Sequence, residues 1–282
     1  MGIFQRITAG PFSKDLATGS LKSPRQLSPF IKQSKTADGA AFQVRLVGSS
    51  GLAALSEPLK IFKHLFESDS YLQTKFLSKG SRVLDHGCGV GRFSVVLRAF
   101  GKSPKNLMGV DVLDECIRNY QEIVRSQSFS VRDKKIVDWV GNDYFDSSIS
   151  YSVFSHLPLD KAKSTLNDLF SSTRIGGVIV LTIWNHRLLN YLGSTDHSSS
   201  NNYWWENLKK TIGKFGVGEL ENIGYLFAPN SGGDGLPAEI YGDMVYSEEY
   251  FESMAKEIGW SVRSTINDDS LTLQTVVVLE KA

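Results

Sequence analysis

Apolar residues recur along the chain at helical spacing in some stretches and as short unbroken runs in others, and the two patterns alternate. Helical spacing predicts two helices within 52–78 and further helices over 93–98, 113–128, 161–173 and 248–258. Short apolar runs bounded by glycine or polar residues predict strands at 82–84, 107–112, 135–140, 145–154, 178–183, 260–266 and 271–280. Strands that alternate with helices are typical of an α/β fold with a largely parallel sheet.

Composition changes along the chain and divides it into four parts. Residues 1–50 are rich in Ser, Gly, Thr, Lys and Pro, which predicts an extension that is partly flexible or wraps the main domain. Residues 51–186 carry the alternating pattern of a domain core. Residues 187–245 contain clustered aromatic residues and repeated glycines, which indicates an insertion, and residues 246–282 complete the core.

The most informative stretch covers residues 81–93, which read SRVLDHGCGVGRF. A short apolar strand runs into Asp85 and then into three glycines at alternate positions, and a helical pattern follows. This order places a bare backbone beside a helix N-terminus, where a ligand can approach the main chain closely. A nicotinamide or flavin fingerprint would need its third glycine at position 92, which is Arg92. An acid directly before the glycines suits a cationic amino group better than a pyrophosphate.

The segment LDHGCGVGR resembles the first motif of the class I S-adenosylmethionine (SAM) methyltransferases, an apolar strand followed by D/E-x-G-x-G-x-G. A second element agrees with this resemblance, because residues 107–112 read LMGVDV and end a predicted strand near Asp111. Ligands of such folds collect at the carboxyl ends of the strands, where Asp111 could accept hydrogen bonds from both hydroxyls of a ribose. The alternative is that Asp85 and Asp111 only cap helices.

The resemblance implies a three-layer, doubly wound α/β fold. Its mostly parallel seven-stranded sheet has an antiparallel last strand, and an N-terminal extension and a substrate-side insertion are added to it. The implied cofactor is SAM, with S-adenosylhomocysteine as product. The implied cofactor-binding residues are Asp85, Gly87, Cys88, Gly89, Gly91, Arg92, Asp111, Val112, Asn142, Asp143, Ser152 and Phe154. Asn142 and Asp143 follow the predicted strand 135–140, where the family binds the adenine amino group, although either could equally be a turn residue.

Residues 145–157, FDSSISYSVFSHL, resemble the fourth strand of the family, whose end faces the transferred methyl group. Ser152, Phe154 and His156 are therefore candidates for lining the methyl-transfer site. His156 is a candidate general base, because an imidazole takes up a proton near neutral pH; the alternative is that it orients the turn before the next helix. The insertion 187–245 is expected to act as a substrate lid.

The candidate substrate contacts share a position in or next to the insertion: Trp184, Tyr203, Trp204, Glu239, Tyr241 and Asp243. Trp184 is equally compatible with packing in the core. No pair of cysteines or histidines has the spacing of a metal site, so no metal is predicted.

Charge and cysteine content limit the classes of partner and compartment. The chain of 282 residues has a formal charge of +1, which argues against a dedicated nucleic-acid binder. Two cysteines, Cys88 and Cys116, favour a reducing, cytoplasmic location over a disulfide-stabilised secreted one. No apolar run is long enough to span a bilayer.

These features predict a SAM-dependent methyltransferase of the EC 2.1.1 class that acts on a small-molecule, sugar or lipid acceptor. Methylation of oxygen is favoured, because the N-P-P-Y/F signature of amide and base N-methyltransferases is absent. The alternatives are a non-catalytic protein that binds SAM or its product, and a nicotinamide-dependent oxidoreductase.

Overall fold

The computed structural model of the protein describes residues 21–194, 203–229, 236–237 and 241–282. The chain divides into two compact units, of which the first ends at Ile149 and the second begins at Ser150. None of the described helices is long and apolar enough to cross a membrane.

The first unit is built from helices on a parallel sheet. Its helices are α1 (Ser28–Gln33), α2 (Ala37–Val47), α3 (Gly51–Ser68), α4 (Ser70–Leu77), α5 (Arg92–Ala99), α6 (Asp114–Val124) and α7 (Val137–Val140). Short 3-10 helices cover Pro24–Leu27 and Pro104–Asn106. Its strands are β1 (Val83–His86), β2 (Leu107–Asp111), β3 (Gln127–Ser130) and β4 (Phe145–Ser150). Strand β1 lies between β2 and β4 and is parallel to both, and β3 is parallel to β2.

The second unit continues from the end of β4. Its elements are α8 (Leu159–Ser172), β5 (Thr173–Ile183), α9 (His186–Ser194), α10 (Tyr203–Thr211), α11 (Val217–Ile223), β6 (Tyr225–Ala228), β7 (Asp243–Tyr246), α12 (Glu248–Ile258), β8 (Trp260–Ile266) and β9 (Thr275–Lys281). Strand β9 is antiparallel to β5 and to β8, and β6 pairs antiparallel with β7 in a separate two-stranded sheet.

Seven strands form one sheet in the order β3-β2-β1-β4-β5-β9-β8. The last strand of the chain inserts antiparallel between β5 and β8, as the sequence predicts. The predicted fold class, a mostly parallel seven-stranded sheet flanked by helices, is confirmed. Because parallel strands share one direction, the residues that follow β1 and β2 lie at the same edge of the sheet.

The predicted third strand at 135–140 is wrong. Helix α6 ends earlier than expected, because Arg125 adopts a left-handed conformation with φ of 57°. After Ser126, the residues Gln127–Ser130 form β3 on the edge of β2. The apolar run at 137–140 is instead the short helix α7. Its Trp139 stacks on Phe129 of β3 at 4.6 Å between ring centroids and donates its indole N–H to the carbonyl of Ser130. The run is therefore apolar because it covers β3.

Residues 21–47 of the predicted extension form helices that pack on the first unit. Leu27 and Phe30 are buried, the backbone N–H of Ser23 donates to the carbonyl of Ala99, and Arg45 pairs with Glu115 of α6. These contacts join residues 21–47 to α5 and α6. Residues 1–20 lie outside the described residues.

Aromatic side chains fix the helix that leaves the glycine loop. Phe62 on α3 contacts Phe76 on α4 and Phe93 on α5, with ring centroids 5.7 Å apart in both pairs. Burying such rings contributes strongly to stability, and their edge-on geometry restricts how the helices can slide. Helix α5 is therefore held at a defined place beside β1.

Candidate functional site

The three glycines after β1 all adopt left-handed backbone conformations, with φ of 67° at Gly87, 48° at Gly89 and 76° at Gly91. Only glycine adopts this region without a steric penalty, which accounts for their alternation in the sequence. The backbone N–H groups of Gly87 and Cys88 both donate to the carbonyl of Val110 in β2, at 2.9 and 3.0 Å. The loop is thus attached to the neighbouring strand.

The glycines of this region differ in what a side chain would meet. A Cβ atom at Gly89 would have no neighbour closer than the Gly87 carbonyl oxygen at 4.0 Å, whereas one at Gly91 would come within 3.0 Å of Val124. At Gly109 in β2, a Cβ would lie 2.7 Å from the ring of Tyr120. Gly91 and Gly109 therefore allow close packing, and Gly89 presents open backbone.

Asp111 ends β2 beside this open backbone. Its carboxylate accepts hydrogen bonds from the backbone N–H of Gly89 at 2.9 Å and of Leu113 at 3.0 Å, one on each oxygen. Asp111 thus joins the glycine loop to the segment that follows β2.

Asp85 is almost completely buried and lies in a hydrogen-bonded chain. Its carboxylate accepts from the Ser94 hydroxyl at 2.6 Å, and the Ser94 hydroxyl also lies 2.7 Å from the Tyr120 hydroxyl. Burial is the main cause that raises the pKa of Asp85 to about 7, with a smaller contribution from the charge of Asp111, while the hydrogen bonds from Ser94 act in the opposite direction. Asp85 therefore changes charge near neutral pH. Ser94 and Tyr120 carried no recognisable motif and were not predicted.

Two further residues of the loop region are buried and uncharged at neutral pH. Burial lowers the pKa of His86 to about 4, so its imidazole is neutral. Burial also raises the pKa of the Cys88 thiol, with smaller contributions from Asp111 and Asp85. Cys88 therefore lines the loop as a protonated thiol and is not a reactive thiolate.

The remaining predicted residues near the loop contact the protein itself. The guanidinium of Arg92 lies 3.1 Å from the Glu57 carboxylate on α3, which ties the start of α5 to α3. The carbonyl of Val112 accepts a hydrogen bond from the Arg132 side chain at 3.2 Å. This contact brings the segment after β3 to the end of β2.

The structure does not bring Asn142 and Asp143 to the glycine loop. Both are exposed, and the following Tyr144 lies under the guanidinium of Arg82, the residue before β1, at 4.2 Å. They therefore lie at the amino ends of β1 and β4, at the edge opposite Asp111. Because β3 ends at Ser130, the first acidic side chain after the third strand is Asp133, which the sequence reasoning missed by misplacing that strand.

In the second unit, Ser152 and His156 lie next to each other in the turn that follows β4. The Ser152 hydroxyl is 3.4 Å from Nε2 of His156 and accepts a hydrogen bond from the Gln274 amide at 3.0 Å. Ser152 has a left-handed backbone, with φ of 57°, and its N–H donates to the Thr182 hydroxyl at 2.8 Å. Gln274 lies 122 positions away in the chain and had no sequence signal.

The other side of the His156 ring faces the segment that leads into β7. Nδ1 of His156 donates to the carbonyl of Gly242 at 2.8 Å and lies 3.5 Å from the Asp243 carboxylate. The ring stacks on that of Tyr241 at 4.7 Å between centroids. Tyr241, predicted as a substrate contact, thus contacts the imidazole.

Two predicted ligand contacts are core residues. Phe154 is fully buried, and its ring packs edge-on against that of Phe251. Trp184 belongs to a small apolar core of the insertion together with Leu188, Leu208 and Val245. Trp184 was compatible with a substrate contact or with core packing, and in the structure its side chain packs in this core.

Tyr203 and Trp204 begin helix α10. Glu239 lies outside the residues that the structure describes.

Comparison with known proteins identifies the family and the fold. A family profile described as a methyltransferase domain matches residues 60–265. The fold is similar to that of magnesium protoporphyrin IX methyltransferase from Synechocystis PCC 6803 with bound S-adenosylhomocysteine, with a TM-score of 0.51 at 15% identity over 90% of this chain and 100% of that one. It is also similar to a protein of Pyrococcus horikoshii OT3, with a TM-score of 0.50 at 16% identity over 78% of this chain and 91% of the other.

Among curated proteins, a carboxy-S-adenosyl-L-methionine synthase from Desulforapulum autotrophicum is 23% identical over 132 residues. The aligned part is 45% of this chain and 53% of that protein, so the chain spans about half the length of the curated relative it matches. Since the family profile covers most of the chain, the chain belongs to the methyltransferase domain family, and its identification from the glycine loop as a class I SAM-dependent methyltransferase is confirmed.

Proposed function

We propose that the protein transfers the methyl group of SAM to a hydroxyl oxygen of a small-molecule, sugar or lipid acceptor. The observation that carries the cofactor side of this proposal is the open backbone at Gly89 beside the carboxylate of Asp111. A flat, hydroxyl-bearing nucleoside can approach such a backbone closely, and the lone pairs left on Asp111 can accept its ribose hydroxyls.

Different residues of the first unit bind different parts of SAM. Asp111 accepts from the ribose, and the loop Gly87–Gly91 admits the methionine end. We assign the adenine contact to the segment after β3, with Asp133 as acceptor, because Arg132 of this segment already reaches the end of β2. SAM, when bound, supplies an electrophilic methyl group on a sulfonium.

Methylation of oxygen is supported by His156. A hydroxyl is a weak nucleophile and must lose its proton as the bond to carbon forms, so a base at the acceptor side assists the reaction. Nε2 of His156 is the atom of that ring that faces the turn after β4, the part of the family fold that faces the transferred methyl group. We therefore assign His156 the role of general base.

Calorimetric titration with SAM, S-adenosylhomocysteine and NAD tests the cofactor. We expect binding of the first two and none of NAD, and binding of NAD alone would overturn the proposal. The variant Asp111→Ala should bind SAM at least about tenfold more weakly, because charge-assisted hydrogen bonds are lost. Glu122→Ala, an exposed acid on the neighbouring α6, is the matched control and should leave the affinity unchanged.

The acceptor is tested with SAM labelled with carbon-13 in its methyl group. The protein is incubated with a sugar glycoside, a catechol, a hydroxy fatty acid and a primary amine, and the carbon shift of the product identifies the methylated atom. Transfer to one of the three hydroxyl compounds supports the proposal, and transfer only to the amine contradicts the assignment to oxygen.

A further inference from the structure

We propose that Ser152, His156 and Asp243 form a proton relay, in which Ser152 takes the proton of the acceptor hydroxyl, His156 receives it from Ser152, and Asp243 positions the imidazole. The relay rests on the proposed function and extends it by a residue that contacts the acceptor and by a positioning residue.

The hydrogen bond to Gly242 fixes which nitrogen of His156 is basic. A backbone carbonyl only accepts, so the short contact of 2.8 Å requires that Nδ1 carries a hydrogen. In the neutral ring, Nε2 then has the lone pair, and this is the atom that faces the Ser152 hydroxyl at 3.4 Å. The ring therefore presents its basic atom toward the turn after β4.

The hydroxyl of Ser152 is oriented by its neighbours. It accepts from the Gln274 amide, so its own hydrogen is available to His156 or to Ser155, both at 3.4 Å. Such long contacts are common in the absence of substrate and shorten in the reacting complex. The hydrogen bond from the Ser152 N–H to Thr182 holds the left-handed backbone, which is unfavourable in a residue other than glycine.

Asp243 lies on the side of the ring away from Ser152. Its side chain is 2% exposed and its carboxylate is 3.5 Å from Nδ1, so it faces the nitrogen that carries the hydrogen and helps to position the ring. Tyr241 covers one face of the ring. The ring remains 14% exposed, which allows the proton to reach solvent.

Gln274 gives independent support for a ligand at this place. It is 5% exposed, and one end of its amide binds Ser152. The other end, Oε1, is buried and has no hydrogen-bond partner in the part of the chain that the structure describes. A buried polar atom without a partner costs free energy, and a second polar group of the acceptor would satisfy it.

The bond from the acceptor oxygen to the methyl carbon forms while the carbon–sulfur bond breaks, and the electron pair of that bond leaves with sulfur as a neutral thioether. The hydroxyl proton of the acceptor passes to the Ser152 oxygen as the Ser152 proton passes to Nε2. One proton is finally released from the imidazolium to solvent.

Nitrogen NMR of the full chain, labelled at its histidines, tests the relay without an acceptor. Signals of His156 are assigned with His156→Gln. We expect the neutral ring of the wild type to carry its hydrogen on Nδ1, and the Nε2 shift to change in Ser152→Ala. In Asp243→Asn the Nδ1 shift of His156 should change, since the carboxylate 3.5 Å from that nitrogen is removed. Asp160→Asn, an exposed acid four positions from His156, is the control and should change neither signal.

Hydrogen on Nε2 in the wild type, or an Nδ1 signal that Asp243→Asn leaves unchanged, overturns the relay. Thermal melting checks that each variant is folded, and Asp243→Glu, which keeps the carboxylate, should bring the Nδ1 signal back toward that of the wild type. SAM titration of the wild type is run on the same sample. Loss of SAM binding would refute the proposed function, whereas SAM binding together with the wrong tautomer refutes the relay alone.

Discussion

The glycine loop of the first unit and the relay of the second unit are assembled in opposite ways. Five consecutive residues, Gly87–Gly91, make the loop, and one neighbouring strand supplies Asp111. The relay draws Ser152 and His156 from one turn, Asp243 from the start of β7, and Gln274 from the segment before β9.

This difference decides how each region responds to substitution. The loop depends on backbone conformation and close packing, so changes there alter stability and cofactor affinity together. The relay depends on the direction of a few hydrogen bonds, so changes there should alter proton transfer while the fold remains. The following predictions test this contrast, beginning with the largest effect.

The largest effect is expected at Asp85. With a pKa of about 7 in the folded state and 3.8 for the free group, the folded state holds its proton more tightly than the unfolded state. The stabilising contribution is therefore complete below about pH 4 and is lost as the pH rises through about 7, a change on the order of 4 kcal/mol. His86 acts in the opposite direction, because its pKa is lowered, so the comparison must be made between variant and wild type.

Asp85→Asn removes this contribution, so its free energy of unfolding relative to wild type should rise between pH 4 and pH 8. Urea unfolding at a series of pH values measures the difference. Glu122→Gln, an exposed acid, serves as the control. A parallel pH dependence of Asp85→Asn and wild type would show that Asp85 is ionised throughout this range.

The second prediction concerns packing at Gly109. Gly109→Ala should lower the free energy of unfolding by about 1–3 kcal/mol, because the new Cβ would lie 2.7 Å from the buried ring of Tyr120. Gly218→Ala, in helix α11 with open space around it, should instead be neutral or stabilising. Equal effects of the two substitutions would contradict the packing role of Gly109.

The third prediction separates the stability cost of a strained backbone from the loss of SAM binding. Gly89→Ala and Gly48→Ala both place a side chain at positive φ with no neighbour closer than 4.0 Å, so each should cost roughly 1–2 kcal/mol of stability. Only Gly89→Ala should also weaken SAM binding, by about tenfold or about 1.4 kcal/mol. Calorimetry on both variants measures this, and unchanged affinity in Gly89→Ala would place SAM elsewhere.

The smallest effect is expected in the relay. Tyr241→Leu removes one stacked pair and should lower the free energy of unfolding by about 1 kcal/mol or less. Because one face of the imidazole of His156 is then uncovered, the ring can move more, and its nitrogen signals should broaden. A loss of several kcal/mol would mean that Tyr241 is a core residue and not a cover for the imidazole.

The sequence predicts the loop well because the loop is built from residues that lie close together in the chain. Left-handed glycines at alternate positions and an acid at the end of the next strand leave their residue types in the sequence at fixed spacing. The third strand was misplaced because Ile136, Val137, Trp139 and Val140 have the composition of a strand, whereas Phe129 and Ser130 form β3 with fewer apolar residues. Tertiary packing of Trp139 on Phe129 overrides the local preference.

The relay could not be predicted beyond His156 and Ser152. Asp243 and Gln274 reach them only through the path of β7 and β9, and neither residue type is unusual in its local context. Phe154 shows the opposite problem. It is adjacent in sequence to predicted site residues, but its side chain is buried in the core.

The reciprocal hydrogen bonds between His156 and Gly242 have a further consequence. The ring donates to the Gly242 carbonyl, while the N–H of Gly242 donates to the His156 carbonyl and that of Met244 to the Ser155 carbonyl. This double attachment anchors the downstream end of the insertion independently of what precedes it. Replacing residues upstream of 241 with those of a relative should therefore change acceptor preference while the base keeps its orientation, which makes this joint a natural boundary for building chimaeras.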